Sequence, residues 1–236
     1  MSTIQFKNEH IELAYGTKSE GNLYDHMKHL EISSITMLDP HGREIAFPIC
    51  EILREIRETR KDERKMIPTQ GLVVKYAPNI TCAWGMMTSD CPCLTVIDAQ
   101  NNVAGMLHLG WWQIYTNIIK KFFIKWHGQF PLNKGELKIF VGPSICGNCF
   151  TLHGPKGWLR IVLFSLSPWK KHLHQKSLKW SLDLRAILKD QLAAEGISPE
   201  QIQFFPDCTF ENSYLSSHRR EGKHKTSSNY IIVKMF

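Results

Sequence analysis

A single mixed α/β domain spanning residues 1–236 is the fold this sequence predicts, and three observations carry that expectation. Short β-branched and apolar runs of strand length interleave with stretches of helical period. No linker is long enough to divide the chain, and there is no internal repeat or low-complexity tract. A hydrophobic content of 43% over 236 residues can bury a substantial core.

Taken in order, Ile4 to Tyr15 reads as one strand with mixed alternation, followed by a loop over Gly16 to Asn22. Ile32 to Leu38 is a short apolar run stopped by Asp39-Pro40-His41-Gly42, a strong turn signal that leaves His41 on a loop after a strand. Ile49, Ile52, Leu53 and Ile56 open a helix that runs on to Lys65 as an almost wholly charged stretch, and Pro68 ends it. Gly71–Tyr76 and Ile80–Thr88 are strand-like. Cys93–Asp98 and Val103–Leu109 form a hairpin about the polar turn 99–102. Ile114, Ile118, Phe122 and Trp126 recur four apart, with Tyr115, Ile119 and Phe123 widening the face, so one amphipathic helix follows Gly110 and stops at Gly128. Leu137–Val141 is a strand, and Trp158–Leu166 an apolar run of either type. Ser181 caps a helix over Leu182 to Glu195 that Gly196 terminates, and Ile202–Phe205 and Tyr230–Phe236 are the last strands.

Composition narrows the class of protein. No window approaches ~18 uninterrupted apolar residues, so no transmembrane helix is expected. The opening MSTIQFKNEHIELAYG is charged where a signal peptide needs its apolar run, and the expectation is a cytoplasmic protein. Seven cysteines, at 50, 82, 91, 93, 146, 149 and 208, are then read as reduced thiols. The net charge of +7 is spread along the chain, and the cluster REIRETRKDERK alternates in sign like a solvated helix face. With no zinc finger, RNP pattern or arginine-rich arm, no nucleic-acid partner is expected.

The chemistry concentrates in Thr88 to Trp112. The hairpin fold-back brings the start of its first strand to the end of its second, so Cys91 and His108 can meet there. A thiol and an imidazole held together are a metal half-site or a nucleophile with its base.

Nine stretches of this chain resemble, in order, the motifs of the laccase-domain purine nucleoside phosphorylases, also called polyphenol oxidases or peptidoglycan-editing factors. Tyr15-Gly16-Thr17-Lys18 is similar to the family's F-G-T-R and Leu38-Asp39-Pro40-His41-Gly42 to its Q-V-H-G. Thr88-Ser89-Asp90-Cys91-Pro92 resembles T-A-D-C-x-P, and His108-Leu109-Gly110-Trp111 resembles H-A-G-W. Gly142-Pro143-Ser144-Ile145 matches G-P-x-I and Cys149-Phe150 stands for C-Y. Leu182-Asp183-Leu184, Asp207-Cys208-Thr209 and Ser217-His218-Arg219-Arg220 complete the likeness.

The resemblance implies a layered α/β/β/α arrangement with mixed sheets. It also implies a zinc held by His41, Cys91 and His108, with a fourth position open as in catalytic sites. The implied substrates are a purine nucleoside and phosphate: phosphorolysis of adenosine, inosine, guanosine or methylthioadenosine, together with adenosine deamination. Several polar positions depart from the family pattern. Trp112-Gln113 replaces R-G, Thr151 stands where a carboxylate is usual, Ser227-Ser228 replaces G-R, and Gln70 replaces an aspartate.

Each site residue has a bland reading beside the functional one. Cys91 could be a small buried thiol and His108 a satisfied core histidine, but the pairing at the family spacing makes both ligands and, with Asp90, the catalytic group. Asp90 could orient a histidine or accept a proton; equally, it could be a turn aspartate bonded to backbone amides. Arg219, Arg220 and Ser144 are the substrate contacts, the two arginines because a guanidinium grips an oxyanion with two bonds. Cys146-Gly147-Asn148-Cys149 is a C-x-x-C with no second pair of comparable spacing, and is read as a site-lining loop with incidental thiols; Cys208 lines the core or the pocket rather than reacting. His172 and His174 are surface residues. Two alternatives to the zinc phosphorylase stay open: a scaffold that keeps zinc or nucleoside binding, or a partner surface, after losing catalysis, and a metal-free hydrolase with Cys91 as nucleophile and His108 as base. A copper oxidase is least favoured, since the histidine-rich clusters of multi-copper chemistry are missing.

Overall fold

A computed structural model describes residues 3–40, 42, 44–48, 50–59, 67–75, 80–222 and 227–236, with backbone alone for 57–59. The strands are β1 (Thr3–Lys7), β2 (Ile11–Gly16), β3 (Thr36–Asp39), β4 (Ile45–Ala46), β5 (Ile67–Pro68), β6 (Gly71–Lys75), β7 (Cys82–Thr88), β8 (Cys93–Asp98), β9 (Val103–His108), β10 (Lys138–Val141), β11 (Thr151–Leu152), β12 (Leu173–Lys176), β13 (Lys179–Leu182), β14 (Ile202–Phe204) and β15 (Asn229–Met235). The helices are α1 (Leu23–His29), α2 (Cys50–Thr59), α3 (Trp111–Tyr115), α4 (Ile118–His127), α5 (Gly154–Ser165), α6 (Leu184–Ala194) and α7 (His218–Glu221).

Two six-stranded mixed sheets, β1-β2-β15-β7-β3-β5 and β14-β10-β8-β9-β6-β4, dominate the mixed α/β domain, with β11-β13-β12 as a third, smaller sheet. Period-two alternation explains how they stack. On one side of the first sheet, Leu13, Tyr15, Trp84, Met86, Ile231 and Val233 meet Leu72, Val74, Ile97, Ala104 and Met106 of the second. The opposite face of the first sheet, carrying Ala14 and Ile232, packs on Met27 and Leu30 of the α1 region. The opposite face of the second, carrying Val73, Leu94, Val96 and Leu107, packs on Phe122, Phe123 and Trp126 of α4, Phe164 of α5 and Ile187 and Leu188 of α6. The layers therefore run α/β/β/α. Strands buried on both faces read as continuous apolar runs rather than alternating ones.

Gly105 shows how close the helical layer lies. A Cβ there would stand 2.6 Å from Phe122 Cζ and 2.7 Å from Trp126 Cζ3, so the aromatic pair fills the space a side chain would take.

Several expectations need correction. Ile4–Tyr15 is two antiparallel strands, because the Asn8 carboxamide accepts from His10 N (2.9 Å) and Ile11 N (2.8 Å) and turns the chain. Helix α1, opened by Asn22 accepting from Tyr24 N at 2.8 Å, follows a stretch read only as loop. The amphipathic helix is broken at Asn117, whose φ of 49° separates α3 from α4. Asp183, not Ser181, caps α6 by accepting from Ala186 N at 2.9 Å; Ser181 lies in β13. The ambiguous run at Trp158 is helix α5. The thiols are not all reduced: Cys50 on α2 and Cys82 on β7 form a disulfide, brought together because that helix packs on that strand. The charged continuation to Lys65 lies outside the described residues. No described helix is long and apolar enough to cross a membrane.

Replacing Gly105 by valine should lower stability by about 1–3 kcal/mol, since the ring pair cannot withdraw from a packed layer. Urea unfolding would show this as a lower midpoint at unchanged slope; an unchanged midpoint would contradict the packing described.

Candidate active site

Pairing in the β8–β9 hairpin sets the geometry. Cys93 stands opposite His108, and Leu109 N donates to Pro92 O at 2.9 Å, so Cys91 and His108 emerge at the same end of the hairpin. Cys91 is half-buried and faces a cleft. His41 lies outside the described residues, but its neighbours are held. Gln70 Nε2 donates to Gly42 O at 2.7 Å and to Pro40 O, while Gln70 O accepts from His108 N at 2.9 Å. An aspartate at position 70, which only accepts, could not make the two side-chain bonds.

Asp90 adopts a left-handed φ of 86°, a strained conformation for a residue other than glycine. Three bonds hold it there: Thr209 Oγ1 donates to Oδ1 (2.6 Å), Arg219 N donates to Oδ2 (2.7 Å), and Ile145 N donates to the Asp90 carbonyl (2.9 Å). Both carboxylate oxygens are thus engaged, and the turn before Cys91 is fastened to the segments that carry Ile145, Thr209 and Arg219.

The cleft, about 370 Å³, is lined by Asp90, Cys91, Trp111, Phe150, Arg160 and Arg219, with Lys156 and His218 also on its wall. Arg160 projects from α5, its guanidinium 4.8 Å from the Trp111 ring and 5.7 Å from Phe150. Arg219 stacks on Phe150 at 4.9 Å and donates to Thr151 O and, at 3.2 Å, to Thr151 Oγ1. Burial pulls the Arg160 guanidinium below its ordinary value, and the neighbouring Arg219 charge pulls it further against the opposing effect of Cys91. Burial likewise lowers Arg219, against Asp90. Arg160 Nε is buried with no hydrogen-bond partner among the described residues. The cleft therefore holds two stacked, partly desolvated cations, and among the described residues no carboxylate forms a salt bridge with either guanidinium, although Asp90 lines the same cleft.

Other expected contacts sit elsewhere. Arg220 spends its donors on carbonyls of Thr209, Phe210, Asn212 and Leu215 and on Glu221, and does not line the cleft. Ser144 is fully buried behind the wall, where its Oγ accepts from Arg185 Nε at 2.9 Å. Arg185, not singled out from the sequence, also donates to Ser144 O and to the carbonyls of Phe205 (3.3 Å) and Asp207 (2.9 Å), tying the 142–150 loop to the segment after β14. Arg160 was hidden inside an apolar run, and only its four-residue spacing from Phe164 could have marked it as a helix-borne cation.

The C-x-x-C thiols are not isolated. Donor atoms of Cys146, Cys149, Cys208 and Glu211 all lie within 4.8 Å of one another, a group able to hold a metal ion. Burial raises the Cys146 and Cys149 thiols. Burial also works to raise Cys208, but backbone N–H groups of Cys146, Glu211 and Phe210 aimed at its sulfur outweigh it and leave the thiol below its ordinary value.

The family model described as multi-copper polyphenol oxidoreductase laccase matches residues 26–234. Among curated proteins, a relative named purine nucleoside phosphorylase YlmD, from Bacillus subtilis (strain 168), is 26% identical over 148 residues, 62% of this chain and 53% of the relative. Purine nucleoside phosphorylase slr1573 of Synechocystis sp. is 23% identical over 219 residues, 79% of this chain and 80% of the relative. This chain thus spans about half the length of the Bacillus relative. Among solved structures, the Bacillus licheniformis hypothetical protein YfiH aligns with a TM-score of 0.75 at 20% identity, covering 96% of this chain and 93% of that one. YlmD from Geobacillus stearothermophilus aligns with a TM-score of 0.74 at 16% identity, covering 100% and 99%. The fold is theirs.

Asp90→Ala and Thr209→Val should each cost about 1–3 kcal/mol, because each leaves a buried polar partner unsatisfied. A double-mutant cycle by denaturant unfolding should give a combined loss smaller than the sum. Strict additivity would mean that the Thr209–Asp90 bond does not hold the turn.

Proposed function

This chain belongs to the multi-copper polyphenol oxidoreductase laccase family, and we propose that within it the protein is a zinc-dependent purine nucleoside phosphorylase, residues 1–236 acting as one domain. The observation that carries this reading is the cleft beside Cys91, where Arg160 and Arg219 stack on aromatic rings and, among the described residues, no carboxylate forms a salt bridge with their guanidinium groups. Two half-buried guanidinium groups on the wall of one cleft favour a doubly charged oxyanion. The apolar remainder of the lining, Trp111, Ile145 and Leu184, suits a heteroaromatic base.

In phosphorolysis an oxygen of bound phosphate attacks the ribose anomeric carbon. The glycosidic C–N bond breaks, its electron pair goes to the purine, and ribose 1-phosphate is released with the free base. The chain's part is to hold the nucleophile: Arg219 and Arg160 fix phosphate at one wall and remove the entropy of bringing it to the sugar. Thr151, neutral where the family places a carboxylate, holds Arg219 in position without cancelling its charge. Arg160 offsets the cation missing at Trp112, reaching the cleft from α5 instead.

A thiolate and an imidazole suit zinc, so Cys91 and His108, with His41 as the third ligand, are the residues that would hold it. The ion would supply a Lewis acid on the Cys91 side of the cleft. Such a donor set also permits adenosine deamination as a second outcome, distinguished by product. The scaffold reading draws on Trp112 replacing the expected arginine.

Purified protein with zinc, phosphate and adenosine, inosine or guanosine should release free base and ribose 1-phosphate; inosine from adenosine would instead report deamination. Binding of a nucleoside without turnover would favour the scaffold, and inactivity toward every purine nucleoside would defeat the proposal. Arg160→Ala and Arg219→Ala should each raise the phosphate KM about 10–100-fold, the loss of one charged hydrogen-bond partner. The nucleoside KM should change far less.

A further inference from the structure

The C-x-x-C at Cys146 has a counterpart that a search for cysteine pairs overlooks: Cys208 and Glu211 have the same three-residue spacing, with a carboxylate in place of the second thiol. The two turns also match in backbone. Phe150 N donates to Cys146 O at 3.0 Å, and Asn212 N donates to Cys208 O at 3.1 Å, each closing a turn of five residues. A short parallel bridge between Ser144 and Cys208 sets the turns side by side, reinforced by Thr209 N donating to Ser144 O at 3.2 Å. Cys146 N points at Cys208 Sγ (3.3 Å), and Glu211 Oε1 lies 3.3 Å from Cys149 Sγ and 3.9 Å from Cys146 Sγ.

We propose that Cys146, Cys149, Cys208 and Glu211 form a structural zinc site, separate from Cys91 and His108. Zinc with ligands at about 2.3 Å (sulfur) and about 2.0–2.2 Å (oxygen) requires tetrahedral edges of roughly 3.5–3.8 Å. The donors are already within 4.8 Å of one another, and the two sulfur–oxygen contacts, 3.3 and 3.9 Å, fall on either side of that edge. Sulfur-rich tetrahedral sites select zinc over the oxygen-preferring cations. Four protein ligands leave no open position, the mark of a structural site rather than a catalytic one.

Binding would displace the thiol protons of the cysteines and leave a net negative complex. The Arg185 cation beside Cys208 and Cys146 and the amide aimed at Cys208 sulfur offset that charge. Gly147 keeps the first turn tight, since a Cβ there would fall 2.6 Å from Asp183 Cβ. Cys208 is buried while Glu211 is exposed, so the ion has a path in from the carboxylate side. The site joins the loop bearing Ile145 and Phe150 to the segment leading to Arg219, which makes it a clamp on the cleft wall.

Zinc per chain, measured on the full-length protein after zinc loading and dialysis, tests this site and the Cys91 site separately. Two ions are expected in wild type, one in Cys91→Ser, and one in Cys146→Ser/Cys149→Ser. A single ion lost in the double variant but kept in Cys91→Ser would support this site and defeat the Cys91 site. Wild-type stoichiometry in the double variant would overturn the proposal and leave the phosphorylase reading standing. Should the double variant fail to fold, two other measurements decide. Zinc should protect Cys146 and Cys149 of Cys91→Ser from alkylation, and Glu211→Gln should weaken that protection about 10-fold or more. Cobalt in Cys91→Ser should show the tetrahedral, multi-thiolate absorption that one sulfur cannot give. Equal alkylation with and without zinc, or a Cys146–Cys149 disulfide persisting in its presence, would overturn the site.

Discussion

Everything at the site depends on the pairing of β8 with β9. Both faces of this hairpin are buried, Leu94 and Val96 toward the helices and Ile97 and Ala104 toward the other sheet. A slip of one residue would exchange these two sets and carry His108 away from the Cys91 end. The core thus fixes which end of the hairpin carries both Cys91 and His108. Asp90 then spends a strained backbone to turn the chain at Cys91, stabilised by hydrogen bonds from Thr209 and Arg219, residues far along the chain.

The cleft wall is a second layer of organisation. Arg185 ties the 142–150 loop to the segment around Asp207, and Arg220 gathers the carbonyls between Thr209 and Leu215. These two arginines are structural cations that saturate backbone oxygens. Arg160 and Arg219 differ because their main contacts are aromatic faces, which hold a guanidinium in place and leave much of its charge and donor capacity available. Four arginines of similar half-buried standing thus divide into two jobs by the kind of partner each meets.

Much of this was legible in the sequence, and the failures have physical causes. The hairpin, β6, β7, β10 and β15 were readable because strands buried on both faces give unbroken apolar runs. The α/β/β/α layering was implied by the family resemblance, and the shared end of Cys91 and His108 followed from the hairpin fold-back. The turn at Asn8 was missed because its carboxamide closes on backbone amides and leaves the hydrophobic pattern nearly unbroken. Helix α1 was missed because its stripe of Leu23, Met27 and Leu30 is short and interrupted by charged and polar residues, and the helix opens on the Asn22 cap at the end of a polar loop. The run of aromatic residues from Trp111 to Trp126 concealed a break at Asn117, since side-chain periodicity does not report a left-handed backbone. Arg160 and Glu211 were invisible as site residues because their partners come from distant segments, and His41 lies outside the described residues.

The place of β15 in its sheet has one more implication. Residues 229–235 lie between β2 and β7 and bond to both, so those earlier strands have no hydrogen-bonded neighbour in common until this last one is made. Closing contacts across more than 200 positions costs loop entropy that local pairs never face, and such topologies assemble slowly. During synthesis the hairpin of β8 and β9 can form early from its own neighbours, while the sheet behind it waits. The half-made chain would present the β8–β9 hairpin, with Cys93, Ile97, Ala104 and Met106 bare on the face that the completed sheet later covers.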